Sequence, residues 1–399
     1  MQISPLRQCG CGHITIELLE MNVSSTLAFY CSSLSWGGLE MNTVRYAQWM
    51  QERGYRVIVF AVSSSPIAME ATSKDLHLVA IKRNAKYFDF RSAYRLSNLF
   101  RQHDVSLVWF RDTRDMDTLA WAKRFSRSSF KLLYQQAMQF TVNKRDMIHT
   151  FRFRAIDAWV STLDFLRDQV KQYTRFPASK IYEVPLGVDT FRLRRNESLK
   201  NPARDYFHLD HNAFVFGVIG RIDPLKGQHL AIHALNRLHA QNCKVHLLIV
   251  GESTRNEGGE YEDSLRMLIE QLNLQSYVHI RPYTSDVFHF YHAIDSFLLC
   301  SKGETFGTVT IEAMAMGLPI IGTRSSGTPE LLDNGTCGLL VDPENTIEWS
   351  EAMEKIITDA DDAKRMGMRA KHRFDERYAK EASVERLDRI VQRLLNSNA

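Results

Sequence analysis

Short apolar runs of strand length alternate with amphipathic stretches along most of the chain. Thr26 to Cys31 is an almost wholly apolar run, and the loop Ser32 to Gly38 follows it. Leu39, Val44, Ala47 and Met50 then recur at helical spacing up to Gly54, and Arg56 to Val62 reads as the next strand. A strand, a glycine loop, a helix and a parallel strand make up the unit of a doubly wound sheet. The same order returns downstream. A strand from Phe214 to Ile219 leads into the loop Gly220 to Gly227. A helix carrying Leu230, Ala234, Leu235 and Leu238 follows, then a strand from Val245 to Val250 that ends at Gly251. Two such openings predict an α/β protein of two Rossmann-like, doubly wound parallel-sheet domains.

Val184-Pro185-Leu186-Gly187-Val188-Asp189 and the polar run from Arg192 to Asn201 separate the two units, which puts the boundary near residue 190. The expected division is a leader at 1–22, a first domain at 23–190, a second at 191–375 and a closing helical segment at 376–399. Met366, Met368, Phe374, Tyr378, Leu387, Ile390, Val391 and Leu394 keep a helical pattern from Asp361 to the end of the chain. The 399 residues, about two to three times a usual single domain, suit this plan. With 44% hydrophobic and 24% charged residues, the chain has material for real cores and no disordered bias.

No window reaches the ~18 consecutive apolar residues that a membrane span requires, which excludes a transmembrane enzyme. The first twenty residues lack the basic start and apolar core of a secretory signal, so a cytoplasmic protein is expected, with the inner face of the membrane as a further possibility. Met21 is an alternative start. Six cysteines are too sparse for a disulfide scaffold and read as mostly reduced core thiols; Cys9, Cys11 and His13 lack a second metal-ligand pair and read as part of the leader. The net charge of +4 is uneven: residues 1–190 carry 25 Lys and Arg against 17 Asp and Glu, and residues 191–399 carry 25 against 29. In the basic half, Arg91, Arg95 and Arg101 interleave with Tyr94, Leu96, Leu99 and Phe100, and Lys123, Arg124, Arg127 and Lys131 with Trp121, Phe125 and Phe130. Such a surface suits an anionic membrane or a charged acceptor, and equally a solvated helix face over buried aromatics. No nucleic-acid reader motif is present, so nucleic acid is not an expected partner.

Candidate chemistry concentrates in the second half. In Gly220-Arg221-Ile222-Asp223-Pro224-Leu225-Lys226-Gly227, glycine after a strand permits close backbone approach and two cations follow before a helix; this is a polyanion cradle or an ordinary turn with two solvated cations. Downstream, Ser301 to Ala313 follows the strand Ser296 to Cys300, and helical periodicity begins only near Gly307. The backbone N–H groups of Gly307, Thr308 and Val309 then form a helix start that attracts anionic or oxygen-rich ligands. Glu304 precedes this helix and Glu312 lies within it. Were the chain helical throughout, eight residues would separate them by ~12 Å, comparable to the reach of a nucleotide sugar from hexose to ribose. Carboxylates accept from vicinal hydroxyls, so one Glu on the sugar, one on the ribose and cations between them give a consistent ligand map. Either Glu alone would be read as a solvated charge.

Glu304 and Glu312, Gly220-Arg221 with Lys226-Gly227, Gly37-Gly38-Leu39-Glu40, Val184 to Asp189, and Ser326-Gly327-Thr328-Pro329-Glu330 occur in order over nearly the whole chain. As a set they resemble the retaining glycosyltransferases of family 4, which adopt the GT-B fold. The resemblance implies that Arg221 and Lys226 neutralise the leaving diphosphate of a nucleotide sugar, Glu312 holds the ribose, and Glu304 with the amides after Phe306 holds the transferred hexose. Gly37 and Gly38 would form the opposite wall, near the diphosphate and a glycan or lipid-linked acceptor. It also implies front-face attack, in which a phosphate oxygen takes the acceptor's proton, and a last helix packed back on the first domain. Preorganised cations and amide dipoles would be the main catalytic term, with no cofactor or metal required. The sequence reveals no carboxylate nucleophile for a covalent route.

Many family members carry a histidine near the segment that here reads Leu133-Tyr134-Gln135-Gln136-Ala137-Met138-Gln139. Gln135, Gln136 or His149 are the candidates to replace it. A catalytically silent nucleotide-sugar or glycan binder and a nucleotide-sugar epimerase of the same fold are the alternative readings. Asp115 and Asp117 have the spacing of a metal-binding acid pair but open a helix, where acids favour the N-terminus. His229, His233 and His239 read as structural, and Asp189 and Asp210 as turn or cap residues. Backbone groups around Arg281 to Tyr283 are candidates to read the donor base, uracil and guanine alike.

Overall fold

A computed structural model describes residues 25–85, 88–126, 130–189, 193–253, 259–284 and 286–397. Cys9, Cys11, His13, Met21 and Arg127 lie outside them. The first sheet consists of β1 (Thr26–Cys31), β2 (Arg56–Val62), β3 (His77–Ile81), β4 (Val105–Phe110), β5 (Lys131–Gln135), β6 (Ala158–Ser161) and β7 (Ile181–Glu183), in the order β3-β2-β1-β4-β5-β6-β7. The second holds β8 (Val215–Ile219), β9 (His246–Val250), β10 (Val278–Arg281), β11 (Ser296–Leu299), β12 (Ile320–Thr323) and β13 (Leu339–Val341), in the order β10-β9-β8-β11-β12-β13. Neighbouring strands pair in parallel throughout both sheets. Strand direction of travel reverses between β1 and β4 and again between β8 and β11, the two places where doubly wound sheets open a crevice at their carboxyl ends.

The observed strands follow the apolar runs with end shifts of one residue. Phe214 and Val245 precede β8 and β9, and Cys300 follows β11. The first helix, Gly38–Glu52, stops two residues before Gly54, whose φ of +92° only glycine adopts without strain. One buried apolar cluster runs from one face of the first sheet, through Leu133, Trp109 and the helix Gly38–Glu52, to Phe297, Leu299 and Phe306 of the second domain. The far faces of the two sheets carry separate clusters. Cys31, Cys300 and Cys337 are buried free thiols and Cys243 is partly buried. Among the described residues, no helix is long and apolar enough to cross a membrane.

The closing stretch, helical in pattern from Asp361, forms two helices. Helices Ala360–Arg377 and Lys380–Asn396 are separated at Tyr378 and Ala379, where the backbone of Ala379 turns extended (φ −62°, ψ 147°). The break lets Val188 pair with Ala379: the Val188 N–H donates to the Tyr378 carbonyl at 2.9 Å and the Lys380 N–H to the Val188 carbonyl at 3.1 Å. The last helix then lies on the first domain. The Tyr55 hydroxyl donates to Asp388 at 2.6 Å, Lys380 pairs with Glu52 at 2.6 Å, and Tyr46 and Ser383 share a hydrogen bond of 2.6 Å.

His246 and His279, on the neighbouring strands β9 and β10, stack with Nδ1 and Nε2 3.0 Å apart. Burial pushes both imidazoles down; His246 and Arg281 add to it at His279, which falls to about 4, and at His246 Asp210 opposes it while His239 and Arg204 add to it. The folded protein thus binds fewer protons than the unfolded chain between the ordinary value of 6.5 and about 4, and stability should fall as pH drops through that window. Urea unfolding at about pH 7.5 and about pH 5 should show this loss, and His279→Gln should flatten it. An unchanged pH slope in the variant would refute the assignment.

Candidate functional site

Two glycines press the cation-bearing turn against the end of the second sheet. A Cβ on Gly251 would lie 1.9 Å from the Gly220 carbonyl oxygen, and one on Gly227 (φ +69°) would lie 2.4 Å from that of Cys300. Asp223 shapes the turn between them, its carboxylate accepting from the Leu225 N–H at 2.8 Å. Lys226 is thereby delivered to Glu304, with Nζ 2.6 Å from Oε2 and both groups partly exposed. Arg221 lies on the exposed rim, 3.8 Å from Asp223, and its carbonyl accepts from Gln228 at 2.7 Å. The sequence reading gave Lys226 to a phosphate and Glu304 to a sugar as separate tasks; the fold joins the two residues.

Gly307, at φ +74°, starts the helix Thr308–Ala315, so residues 304–307 are not helical. The N–H groups of Thr308 and Val309, the first two of the helix, have no intrahelical acceptor, and both residues are partly exposed there. Phe306 points the other way, buried with its ring 6.1 Å from that of Tyr378, so only its backbone remains at the site. Glu312 accepts from the Tyr291 hydroxyl through Oε2 at 2.8 Å. Burial pushes its carboxyl up, opposed by that hydrogen bond and by Arg45 of the first domain.

The opposite wall is the carboxyl edge of the first sheet. Gly37 and Gly38 open the helix Gly38–Glu52; a Cβ on Gly38 would meet nothing within 4 Å, and one on Gly37 would meet only Glu40 at 3.6 Å. Beside them Cys31, Arg111 and Gln135 form a row across β1, β4 and β5, by the registers Tyr30 to Phe110 and Phe110 to Tyr134. Alternation puts them on the face of Trp109 and Leu133. Arg111 is buried, which lowers its guanidinium pKa to about 10; Nη1 reaches the Gly38 carbonyl at 3.4 Å, and Nε has no partner among the described residues. Both polar atoms of the buried Gln135 amide are likewise without one. Gln136, in contrast, accepts from Trp159 and Ser161 and donates to the Met138 carbonyl. His149 pairs with Asp146 at 2.5 Å on an exposed helix. Of the three candidates for the histidine position, Gln135 is the one whose side-chain polar atoms are both buried and unpaired among the described residues. Arg111 was missed, although a charged residue straight after the apolar run of β4 is a readable signal.

Three contacts bring the walls together. Gln139 donates to the Gly303 carbonyl at 3.1 Å, the Glu330 carboxylate accepts from the N–H groups of Asp164 and Phe165 at 2.8 Å each, and Gly327 packs on Leu163. Other candidates are engaged elsewhere. Asp115 accepts from Ser32 and Asn84, its pKa pushed up to about 7 by burial and Asp112, and Asp117 accepts from Phe88 and faces Arg152. His229 bonds Tyr261, His239 the Val245 carbonyl, and Asp210 caps Asn212. Among the described residues, no group of three or more His, Cys, Asp or Glu side chains is placed to hold a metal ion. The Arg281 carbonyl accepts from Gly251 and its guanidinium is turned to the Phe207 carbonyl.

Residues 201–373 match the family described as glycosyl transferases group 1, and residues 36–192 match glycosyltransferase family 4. The chain is 30% identical over 241 residues to the D-inositol 3-phosphate glycosyltransferase of Corynebacterium jeikeium, a match covering 59% of this chain and only 57% of that protein. It is 28% identical over 316 residues to the GDP-mannose-dependent alpha-(1-6)-phosphatidylinositol monomannoside mannosyltransferase of Mycobacterium tuberculosis, covering 74% and 79%. Among solved structures, a glycosyltransferase from Rickettsia africae superposes with a TM-score of 0.84 at 18% identity, covering 93% of this chain and 98% of that one. Anabaena Alr3699/HepE in complex with UDP gives 0.81 at 19%, covering 92% and 99%. At such identities the likeness establishes the fold, which is GT-B.

Leaving both ends of a buried amide unbonded costs about 1–3 kcal/mol. Gln135→Leu should therefore raise stability by about 1 kcal/mol or more, read as a higher urea midpoint at unchanged slope. A lower midpoint would mean that the amide has a partner in the folded protein.

Proposed function

The chain belongs to the family 4 glycosyltransferases, the glycosyl transferases of group 1, and on that premise we propose that it moves a hexosyl unit, with retention, from a UDP- or GDP-sugar to a glycan or lipid-linked acceptor. The observation that carries this reading is Lys226 held 2.6 Å from Glu304 directly before the helix start at Thr308. A relative acting with GDP-mannose and a structural neighbour bound to UDP support the donor class. Synthesis of cell-surface polysaccharide or lipopolysaccharide at the inner face of the membrane is the setting we propose.

Departure of a nucleoside diphosphate develops negative charge on phosphate and positive charge at the anomeric carbon. Arg221 and Lys226 meet the first, and Glu304, freed from Lys226 as the phosphate engages it, accepts from the hexose hydroxyls. The helix-start amides of Thr308 and Val309 would donate to the oxygens of the same ligand. Glu312 offers its second oxygen to the ribose while Tyr291 holds the first. The acceptor oxygen bonds to the anomeric carbon on the face that the diphosphate leaves, and its proton passes to a phosphate oxygen. Gln135 and Arg111 orient acceptor or phosphate oxygens from the opposite wall. The residues assigned to charge neutralisation are cationic side chains and amides, so we propose that turnover needs no metal or other cofactor.

The test is a thermal-shift series with UDP, GDP and ADP, each with and without manganese, on wild type and Arg221→Ala. A ligand at ~100-fold excess over Kd adds about 2.7 kcal/mol of apparent stability. One nucleotide should stabilise wild type without manganese, and Arg221→Ala should lose most of that shift. Lys226→Ala should lower donor turnover by about 10²–10³-fold. A shift that appears only with manganese and ignores Arg221 would overturn the donor map, and a bound nucleotide with neither donor hydrolysis nor transfer would leave a binding protein.

A further inference from the structure

Among the described residues, the first domain exposes an aromatic and arginine surface. Phe90, Trp121 and Phe125 pack on one another, with Phe90 4.9 Å from Trp121 and Phe125 5.9 Å from it; Phe151 joins the cluster at 5.4 Å from Trp121. The Arg124 guanidinium lies 4.0 Å over Phe151 and 5.6 Å from Trp121. Around this cluster Phe88 is 64% exposed, Met147 84%, Ile148 61% and Phe151 42%. The helix Phe90–Gln102 adds Arg91, Arg95 and Arg101 at exposed positions and carries no acidic residue. Asp89 and Asp146 beside the patch cap helices and keep their charge, and Asp115 and Asp117 are buried.

We infer that this surface docks on an anionic lipid bilayer and hands a lipid-linked acceptor to the cleft, a consequence that rests on the glycosyltransferase reading. A contiguous exposed apolar patch rimmed by charge marks an interaction site. Aromatic and aliphatic side chains with arginines around them match the interface of a bilayer, where rings enter the headgroup boundary and guanidinium groups stay with phosphates. A second copy of the chain fits poorly, because a two-fold contact would face the same arginines with one another. The surface also continues to the site. The loop from Gln136 to Asp146 joins β5 to the helix Met147–Phe153 and exposes Met138 and Val142, while its Gln139 donates to the Gly303 carbonyl at 3.1 Å, one residue from Glu304. An acceptor anchored in the bilayer would reach the cleft along this loop without leaving the interface.

The experiment is co-sedimentation of the full chain with phosphatidylethanolamine–phosphatidylglycerol vesicles and with phosphatidylcholine vesicles, at low and high salt. The protein should sediment with the anionic vesicles, less so at high salt, and weakly with phosphatidylcholine. Ile148→Ser with Phe151→Ser should lower anionic-vesicle binding at least about tenfold. So should Arg91→Glu with Arg95→Glu, which changes exposed side chains only. Both variants should keep the wild-type nucleotide-induced thermal shift. Absent binding, equal binding to neutral vesicles, or unaffected variants would overturn the inference; so would a dimer in light scattering that the same variants abolish. Vesicle binding without any nucleotide shift would keep the docking surface and remove the glycosyltransferase reading.

Discussion

The cleft depends on one place where the chain crosses between its sheets twice and the two crossings bond to each other. Val188 leaves the first domain there and Tyr378 to Lys380 return to it, tied by the two backbone hydrogen bonds around Ala379. One connection alone would leave the sheets free to swivel, whereas two paired connections confine them to bending about a common line. Gly187 makes the approach possible, since a Cβ there would lie 2.9 Å from that of Ser383 and 3.3 Å from the Lys380 Cα. The buried Tyr46 hydroxyl accepts from the Gly187 N–H at 3.0 Å and bonds Ser383, which in turn donates to the Pro185 carbonyl. These polar groups sit inside the apolar cluster that spans both domains, so parting them without new partners would cost about 1–3 kcal/mol each.

Across the cleft the contacts are of a different kind. The helix Asp164–Tyr173 has Leu163 at its N-cap and no side-chain cap of its own. Glu330 of the second domain supplies one, with burial pushing its carboxyl up and the two N–H donors pulling the other way. A carboxylate at a helix start contributes about 0.3–1 kcal/mol when exposed and up to ~2 when partly buried. The hinge is thus buried and multiply bonded, while the mouth is held by a few exchangeable contacts.

The strands were legible because parallel strands buried on both faces read as continuous apolar runs, and the glycines beside them marked the turns that carry Lys226 and Glu304. Two things were not legible. Partners distant in sequence decide where a periodic segment breaks, as Val188 does at Ala379, and no local pattern records that. Nor does residue type tell which of two adjacent glutamines is satisfied by its neighbours. Trp159 and Ser161, on the strand beside Gln136, settle it against that residue. Phe306 shows the same limit in reverse: its place in a ligand-rich motif hid an ordinary core ring.

The two walls prepare for a ligand in opposite ways. On the second domain the charged groups have protein partners, Lys226 with Glu304 and Glu312 with Tyr291. A ligand gains there only what exceeds those contacts, so in the proposed reaction a doubly charged diphosphate would displace Lys226 from its carboxylate where a neutral sugar would not. On the first domain Gln135 and the Arg111 Nε are buried without described partners. Their desolvation cost is already present in the folded chain, and a ligand oxygen that meets them recovers it. A site of this second kind discriminates strongly, since a molecule lacking the hydroxyl or phosphate oxygen leaves the amide unpaired as before. In the proposed reaction, strength of donor capture therefore resides in the charges of the second domain, and the choice of acceptor in the unmet hydrogen bonds of the first.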